Sequence, residues 1–195
     1  MRYGSEHKQE TRRKILDIAG KRIRRDGVEA VGVASLMADC GLTHGGFYAH
    51  FKSKDELVAA ALDQGMRESS DRIFAHADQF EDKLRAYIRA YLSPEHRDAA
   101  EIGCAFASLA PELSRDDGPA RAAIAGRIEP YLDRIGRLLP PTDPASARRR
   151  ATALLSLLMG NLQLARLAED RALSDSILQS GVTAALDLVS VFDGV

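Results

Sequence analysis

Along almost the whole chain apolar residues recur at intervals of three and four, and no stretch sustains an apolar–polar alternation. A period near 3.6 lines up one face of a helix, whereas a period of two lines up one face of a strand. The pattern therefore predicts helices throughout. Ile15, Ile18, Ala19 and Ile23 open the series, with Arg12, Arg13, Lys21, Arg24 and Arg25 covering the remaining faces and Gly27 as a C-terminal stop.

Punctuation divides the rest. A short helix is predicted from Val33 to Cys40, with Leu36, Met37 and Cys40 apolar, and Gly41 breaks it. Thr43 is a candidate N-cap for a second short helix ending near His50. Ser53-Lys54-Asp55-Glu56 reads as a capping box opening a fourth helix that reaches about His76 and joins two domains, since no Gly/Pro/Ser-rich linker lies nearby. Later helices are expected over 79–92, 102–109, 118–140, 144–167 and 174–191, the fourth of these capped by Asp143 with Pro144 at its first position. The expected fold class is all-α, about nine helices: an N-terminal three-helix helix-turn-helix domain (1–54) and a larger C-terminal helical domain (55–195) for ligand binding and dimerisation.

A short helix, a glycine turn and a second short helix form the helix-turn-helix pattern, which enters the major groove with the start of its second helix. Leu36, Cys40, Leu42, Phe47 and Phe51 can lock the two helices together, leaving Thr43, His44, Gly46, Tyr48 and His50 outward. Two glycines near the start of a helix cost about 1 kcal/mol each in helicity, a cost that close approach to DNA would explain.

At these residues the chain resembles the TetR/AcrR family of bacterial transcriptional regulators. The resemblance covers about Arg12 to Leu62 and is carried by Ile15-Leu16, Ala19, Gly27, Leu36 and, above all, the run from Gly41 through Gly45-Gly46-Phe47-Tyr48-Ala49-His50-Phe51 to Ser53-Lys54-Asp55-Glu56-Leu57. It implies a cytoplasmic homodimeric DNA-binding regulator, a repressor more readily than an activator, acting on double-stranded palindromic operator DNA. Thr43, His44 and Gly46 would face the bases, Tyr48 and His50 the groove or phosphates, and Lys54 a phosphate at the head of the fourth helix, with Gly45 also counted in the DNA-binding set. Gly32 and Ala34 stand where the family often has polar residues, which removes a second set of phosphate contacts. Arg12, Arg13, Lys14 and Lys52 suit a solvated face as well as a phosphate-facing one.

The resemblance also implies a dimer interface on the last two helices, assigned to Leu154, Leu155, Leu158, Leu162, Ile177, Val182, Leu186 and Val189, although such stripes also serve as internal core. A cavity for a small-molecule effector of unidentified class is assigned to Met66, Phe74, Tyr87, Tyr91, Cys104, Phe106 and Tyr131, residues that equally suit packing. Gly103-Cys104 followed by Pro111-Glu112 resembles a subgroup in which some members sense electrophiles or oxidants through a cysteine there. A sensor thiol needs thiolate character and access; the alternative is a buried small side chain. His76 and His96 are expected at the surface.

Bulk properties agree without deciding. Residues 1–54 hold 11 Lys/Arg against 6 Asp/Glu, while the whole chain nets -1, so a basic head sits on an acidic body. Two cysteines, Cys40 and Cys104, form no paired spacing for a disulfide framework or a zinc site, and neither metal nor cofactor is expected. No signal peptide or membrane span is expected, nor any partner membrane. No metalloprotease, nucleotide-loop or nucleophile-elbow motif supports an enzyme. A helix-turn-helix activator or adaptor without a small ligand remains the alternative.

Overall fold

The computed structural model describes residues 2–115 and 117–193, and every regular element among them is helical. α1 (Arg2–Asp26), α2 (Val33–Asp39) and a 3-10 helix (His44–Ala49) form the head. α3 (Lys54–Ala77) and α4 (Lys83–Tyr91) follow, joined by a short turn. Then come α5 (Pro94–Asp98), a 3-10 turn (Ala100–Ile102), α6 (Ala105–Leu113), α7 (Pro119–Ala125) and α8 (Ile128–Gly136). The long pair α9 (Pro144–Leu167) and α10 (Arg171–Asp193) closes the chain. No helix among the described residues is long and apolar enough to cross a membrane.

The helix ends follow their local chemistry. Gly27 takes φ +90° and its amide donates to the Ile23 carbonyl at 2.9 Å; Gly41 takes φ +71° in the turn after α2. Only glycine enters that left-handed region without strain. At the head of α3 the Glu56 amide donates to Ser53 Oγ at 3.1 Å, and Glu56 Oε2 accepts from the Lys52 amide at 2.8 Å. Asp143 Oδ1 accepts from the amides of Ala145 and Ser146, as its Asp-Pro sequence predicts.

Several boundaries differ from the sequence expectation. The helix expected over 118–140 is two helices. Pro130 has no amide to donate to the Gly126 carbonyl and its ring crowds that turn, so the chain breaks at Gly126–Arg127. The helix expected from Ile102 begins at Ala105, because Cys104 has extended backbone at the N-cap. The third helix of the head, the second of the helix-turn-helix, is a 3-10 helix, consistent with the low helicity of Gly45-Gly46. Thr43 occupies its N-cap with extended backbone, yet its hydroxyl makes no capping bond.

α3 is the shared pillar: it packs on α1 at one side and on α4, α6 and α7 elsewhere. Two further bonds fasten α1 to the body. The buried Arg24 donates through Nε to the Glu101 carbonyl at 2.6 Å, and the Val28 amide donates to Glu112 Oε1 at 2.9 Å. Arg97, also buried, ties α5 to α10 through Ser174 Oγ at 2.8 Å and Asp175 Oδ1 at 2.5 Å. Asp98 and Asp175 beside it hold this guanidinium firmly protonated.

Candidate nucleic-acid interface and sensor cavity

The third helix of the head has two distinct faces. Phe47 and Phe51 are buried and stack with ring centroids 5.7 Å apart, over Leu36 and Met37 of α2. Thr43, His44 and Gly45 are exposed, and Tyr48 keeps 67% of its surface free, standing edge-on to Phe47 at 5.3 Å and to His44 at 6.2 Å. Gly46 is half-buried. A Cβ on Gly45 would meet nothing within 4 Å, and one on Gly46 would make only ordinary contact with Met37 and Thr43 at 3.7 Å. The chain's own packing therefore does not demand either glycine.

The basic residues divide by role. Arg12 lies over the Phe51 ring at 4.4 Å and 3.9 Å from Glu56, and Lys14 donates to the Cys40 carbonyl at 2.9 Å, so both brace the head. Arg13 and Lys52 stay exposed, and Lys54 is half-exposed on the first turn of α3. His50 is less open than its spacing predicts: it is half-buried and its Nδ1 is buried without a hydrogen-bond partner. Burial lowers its pKa, helped by Lys8 and Arg12, so the ring is neutral at neutral pH. Arg22, which the sequence did not single out, pairs with Asp39 and donates to Ser35 Oγ at 3.2 Å, holding α2 against α1.

The seven residues assigned to the cavity are all buried together, mostly as core. Phe74 stacks on Tyr87 at 5.0 Å, Tyr131 meets Phe74 and Phe106 edge-on at 5.6 Å, and the Tyr87 and Tyr131 hydroxyls lie 3.3 Å apart. The cavity itself, about 790 Å³, lies beside this cluster, between α3, α4 and the segment joining α5 to α6. Cys104 and Tyr131 line it, whereas Met66, Phe74, Tyr87, Tyr91 and Phe106 form the packing behind. Its other walls include Ser69, Arg72, Ile73 and His76 of α3, Ala86 and Arg89 of α4, and His96. Sequence spacing missed these because small and charged residues carry no apolar signature.

His96 is not the surface residue expected. Its Nε2 accepts from the Cys104 amide at 3.0 Å, which leaves Nδ1 protonated and donating to the Tyr91 carbonyl at 2.7 Å. Burial, assisted by Arg166 and Arg72, lowers its pKa to about 4, so it is a neutral spacer. Cys104 stands at the amino end of α6, but burial raises its thiol pKa, outweighing Tyr91 and the amides of Ala107 and Phe106. At neutral pH it is a thiol, not a thiolate.

The last two helices present a different face from the one assigned. Leu154, Leu158 and Leu162 are fully buried inside the chain and Leu155 and Val189 nearly so, which leaves them almost no surface for a partner. Ile177, Val182 and Leu186 are half-buried. The outward stripe of α9 is Ala153, Ser156, Gly160, Leu164 and Leu167; that of α10 includes Leu173, Ser176, Ser180, Ala184 and Val191.

Residues 15–61 match the family model described as bacterial regulatory proteins, tetR family. The head of the chain is a tetR-family DNA-binding domain. A probable HTH-type transcriptional regulator of Pseudomonas putida, ArpR, is 37% identical over 84 residues, 43% of this chain and 39% of that protein. The match thus spans well under half of that relative's length. Among solved structures, the Streptomyces coelicolor TetR-family regulator SCO4454 has a TM-score of 0.66 at 26% identity, covering 93% of this chain and 90% of that one. AibR, solved with isovaleryl coenzyme A and operator DNA, has a TM-score of 0.63 at 21% identity, covering 88% and 96%, a likeness of fold. These fold matches span nearly the whole chain, whereas the family model covers only its head.

Proposed function

We propose that this protein is a ligand-responsive transcriptional regulator of the TetR family, a repressor that binds operator DNA as a homodimer. The observation that carries the reading is the two-faced third helix of the head. Phe47 and Phe51 anchor it, and Thr43, His44, Gly45 and Tyr48 are presented outward on a backbone whose glycines the fold does not require. Glycines there let the backbone approach base edges, and Tyr48 and Lys54 reach phosphates on either side. His50 acts by packing rather than as a charged contact. Residues 1–54 serve as the DNA-reading unit and 55–195 as the sensing and dimerisation unit.

Two heads must be joined by a twofold axis to read a near-palindrome with half-sites about 34–36 Å apart or somewhat more. The small-residue and leucine stripes on α9 and α10 are the surfaces offered for that axis. A cavity of about 790 Å³ favours regulation by a small molecule over an adaptor role without a ligand. Release through modification of Cys104 is a second reading, favoured only by its place on the cavity wall; its protonated state at neutral pH weighs against it.

Selection from a random double-stranded library, followed by fluorescence anisotropy at fixed salt, tests the assignment. The recovered site is expected to be near-palindromic. Tyr48→Ala and Lys54→Ala are each expected to weaken binding about fivefold or more while leaving the dimer intact. Full affinity retained in both would refute it. Cys104→Ser is expected to leave DNA binding unchanged, and release of the wild type, but not of Cys104→Ser, by N-ethylmaleimide would favour the second reading.

A further inference from the structure

The cavity wall is mostly hydrocarbon, and two side chains break that pattern. Arg72 on α3 and Arg89 on α4 both line it, and neither guanidinium has an ion pair or hydrogen bond among the described residues. The other ionic groups along the wall are differently placed. Asp82 accepts from the Arg85 amide at 2.9 Å and pairs with Arg85 Nε at 3.0 Å. Glu95 is drawn back onto Ser93 and its own amide. Glu81 stands exposed in the turn between α3 and α4. His96 is neutral and already bonded on both ring nitrogens.

The hairpin sets the two arginines level. A short turn joins α3 to α4, which makes them antiparallel neighbours. Arg72 lies five residues before the end of α3 at Ala77, and Arg89 six residues after the start of α4 at Lys83. Counting from the turn, both therefore project at nearly the same height. Phe80 and Ile102, two of the large apolar side chains left exposed, also line the cavity. Deeper surfaces include Ala86, Tyr131 and Cys104. The result is a largely apolar chamber edged by two solvent-exposed arginines on adjacent helices, neither of them paired with an acid.

We propose that this cavity takes an anionic amphiphile, an alkyl- or acyl-sized apolar body with a carboxylate-class head held between Arg72 and Arg89. The inference rests on the reading of the cavity as the effector site and names the chemistry of its ligand. Guanidinium forks match a carboxylate geometrically, and two of them converging on one head offset the solvent screening of exposed side chains. An anion there also enters the field of Arg24, which lies close enough to Arg72 for their charges to repel and whose Nη1 is buried without a partner. Arg24 is bonded to the Glu101 carbonyl beside the cavity, so the head of the ligand sits one side chain away from α1.

Isothermal titration of the full-length protein with octanoate and with 1-octanol tests this without any variant. Octanoate is expected to bind about tenfold more tightly or better, and the difference is expected to vanish in an Arg72→Gln/Arg89→Gln double variant that still binds octanol. Equal or tighter binding of octanol, or a preference that survives in the double variant, overturns the proposal, as does the absence of heat with both probes. A parallel anisotropy titration with operator DNA separates the two levels. Operator binding without octanoate binding sinks only the ligand class, whereas loss of both sinks the regulatory reading itself.

Discussion

The two faces of α9 provide a test in which opposite outcomes are expected from leucines six residues apart. Leu158 is fully buried inside the chain. Its replacement by alanine removes hydrocarbon from a packed core and leaves a partial cavity, a loss of about 3 kcal/mol. In a domain of this size that lowers the melting temperature by roughly 6–12 °C. Leu164, one face away, keeps 57% of its surface free. In a lone chain, Leu164→Lys should barely disturb folding, because less than half of the side chain is covered. In a dimer built on this stripe each lost leucine contact is worth about 1–1.5 kcal/mol, and the twofold axis doubles it to about 2–3 kcal/mol. The dimer dissociation constant should then rise about thirty- to a hundred-and-fiftyfold before the desolvation of two ammonium groups is counted. Sedimentation equilibrium over a range of concentrations reads this directly, with thermal unfolding as the second channel. Leu158→Ala should melt early yet remain dimeric where it is folded; Leu164→Lys should keep its helix content and fall apart. A Leu164→Lys protein that sediments as the wild-type dimer would remove this face from consideration.

Three further outcomes follow from single sites. Because folded His96 has a pKa near 4 against an ordinary value of 6.5, below pH 6.5 the unfolded chain takes up a proton that the folded chain refuses. Stability from this group is therefore full above pH 6.5 and declines by up to about 3 kcal/mol as pH falls to 4, and urea titrations of wild type and His96→Gln across that window should diverge accordingly. A Cβ at Gly181 would lie 2.6 Å from Asn161 Cγ and 2.8 Å from its Cβ, so Gly181→Ala should wedge α9 and α10 apart at a cost of about 1–3 kcal/mol, seen as a lower melting temperature. Glu112→Ala frees the Val28 amide and one clamp on α1; its exchange protection in hydrogen–deuterium measurements should drop while that of the α9–α10 core stays unchanged.

Legibility in the sequence varied with how local the cause is. The capping box at Ser53, the Asp143-Pro144 start and the stop at Gly27 each depend on residues within one turn, and each was readable. The anchored face of the head's third helix was equally plain, since Phe47 and Phe51 lie four apart. What the sequence could not separate was core from cavity. Phe74, Tyr87, Tyr91 and Phe106 have the spacing of either, and only their mutual stacking in three dimensions commits them to the core. Much of the cavity is bounded instead by alanines, arginines and two histidines, residue types that predict nothing by periodicity. Arg24 and Arg97 look like surface charges because the partners that tie them to other helices, Glu101, Ser174 and Asp175, lie 77 or 78 residues away in sequence. The same holds for α9, where an apolar stripe was read as interface when its most hydrophobic side faces inward.

The long helix α3 explains how an occupied cavity could alter DNA reading. It begins with Lys54 beside the reading helix and carries Ser69, Arg72, Ile73 and His76 on the cavity wall, so one rigid element spans both sites over roughly 36 Å. A second tie runs through Arg24, pressed so closely on Gly65 of α3 that a Cβ there would fall within van der Waals overlap of its guanidinium. α1 is thereby locked to the pillar and to the Ala100–Ile102 turn at once. A ligand that favours a different tilt of α3 must either carry the head along or unseat the buried Arg24 guanidinium, which is costly. On the proposed reading both tilts would already exist as states of the dimer, and a ligand would change their populations only by binding one of them better. The coupling is reciprocal: operator DNA must weaken the binding of any ligand that weakens operator binding, by the same factor.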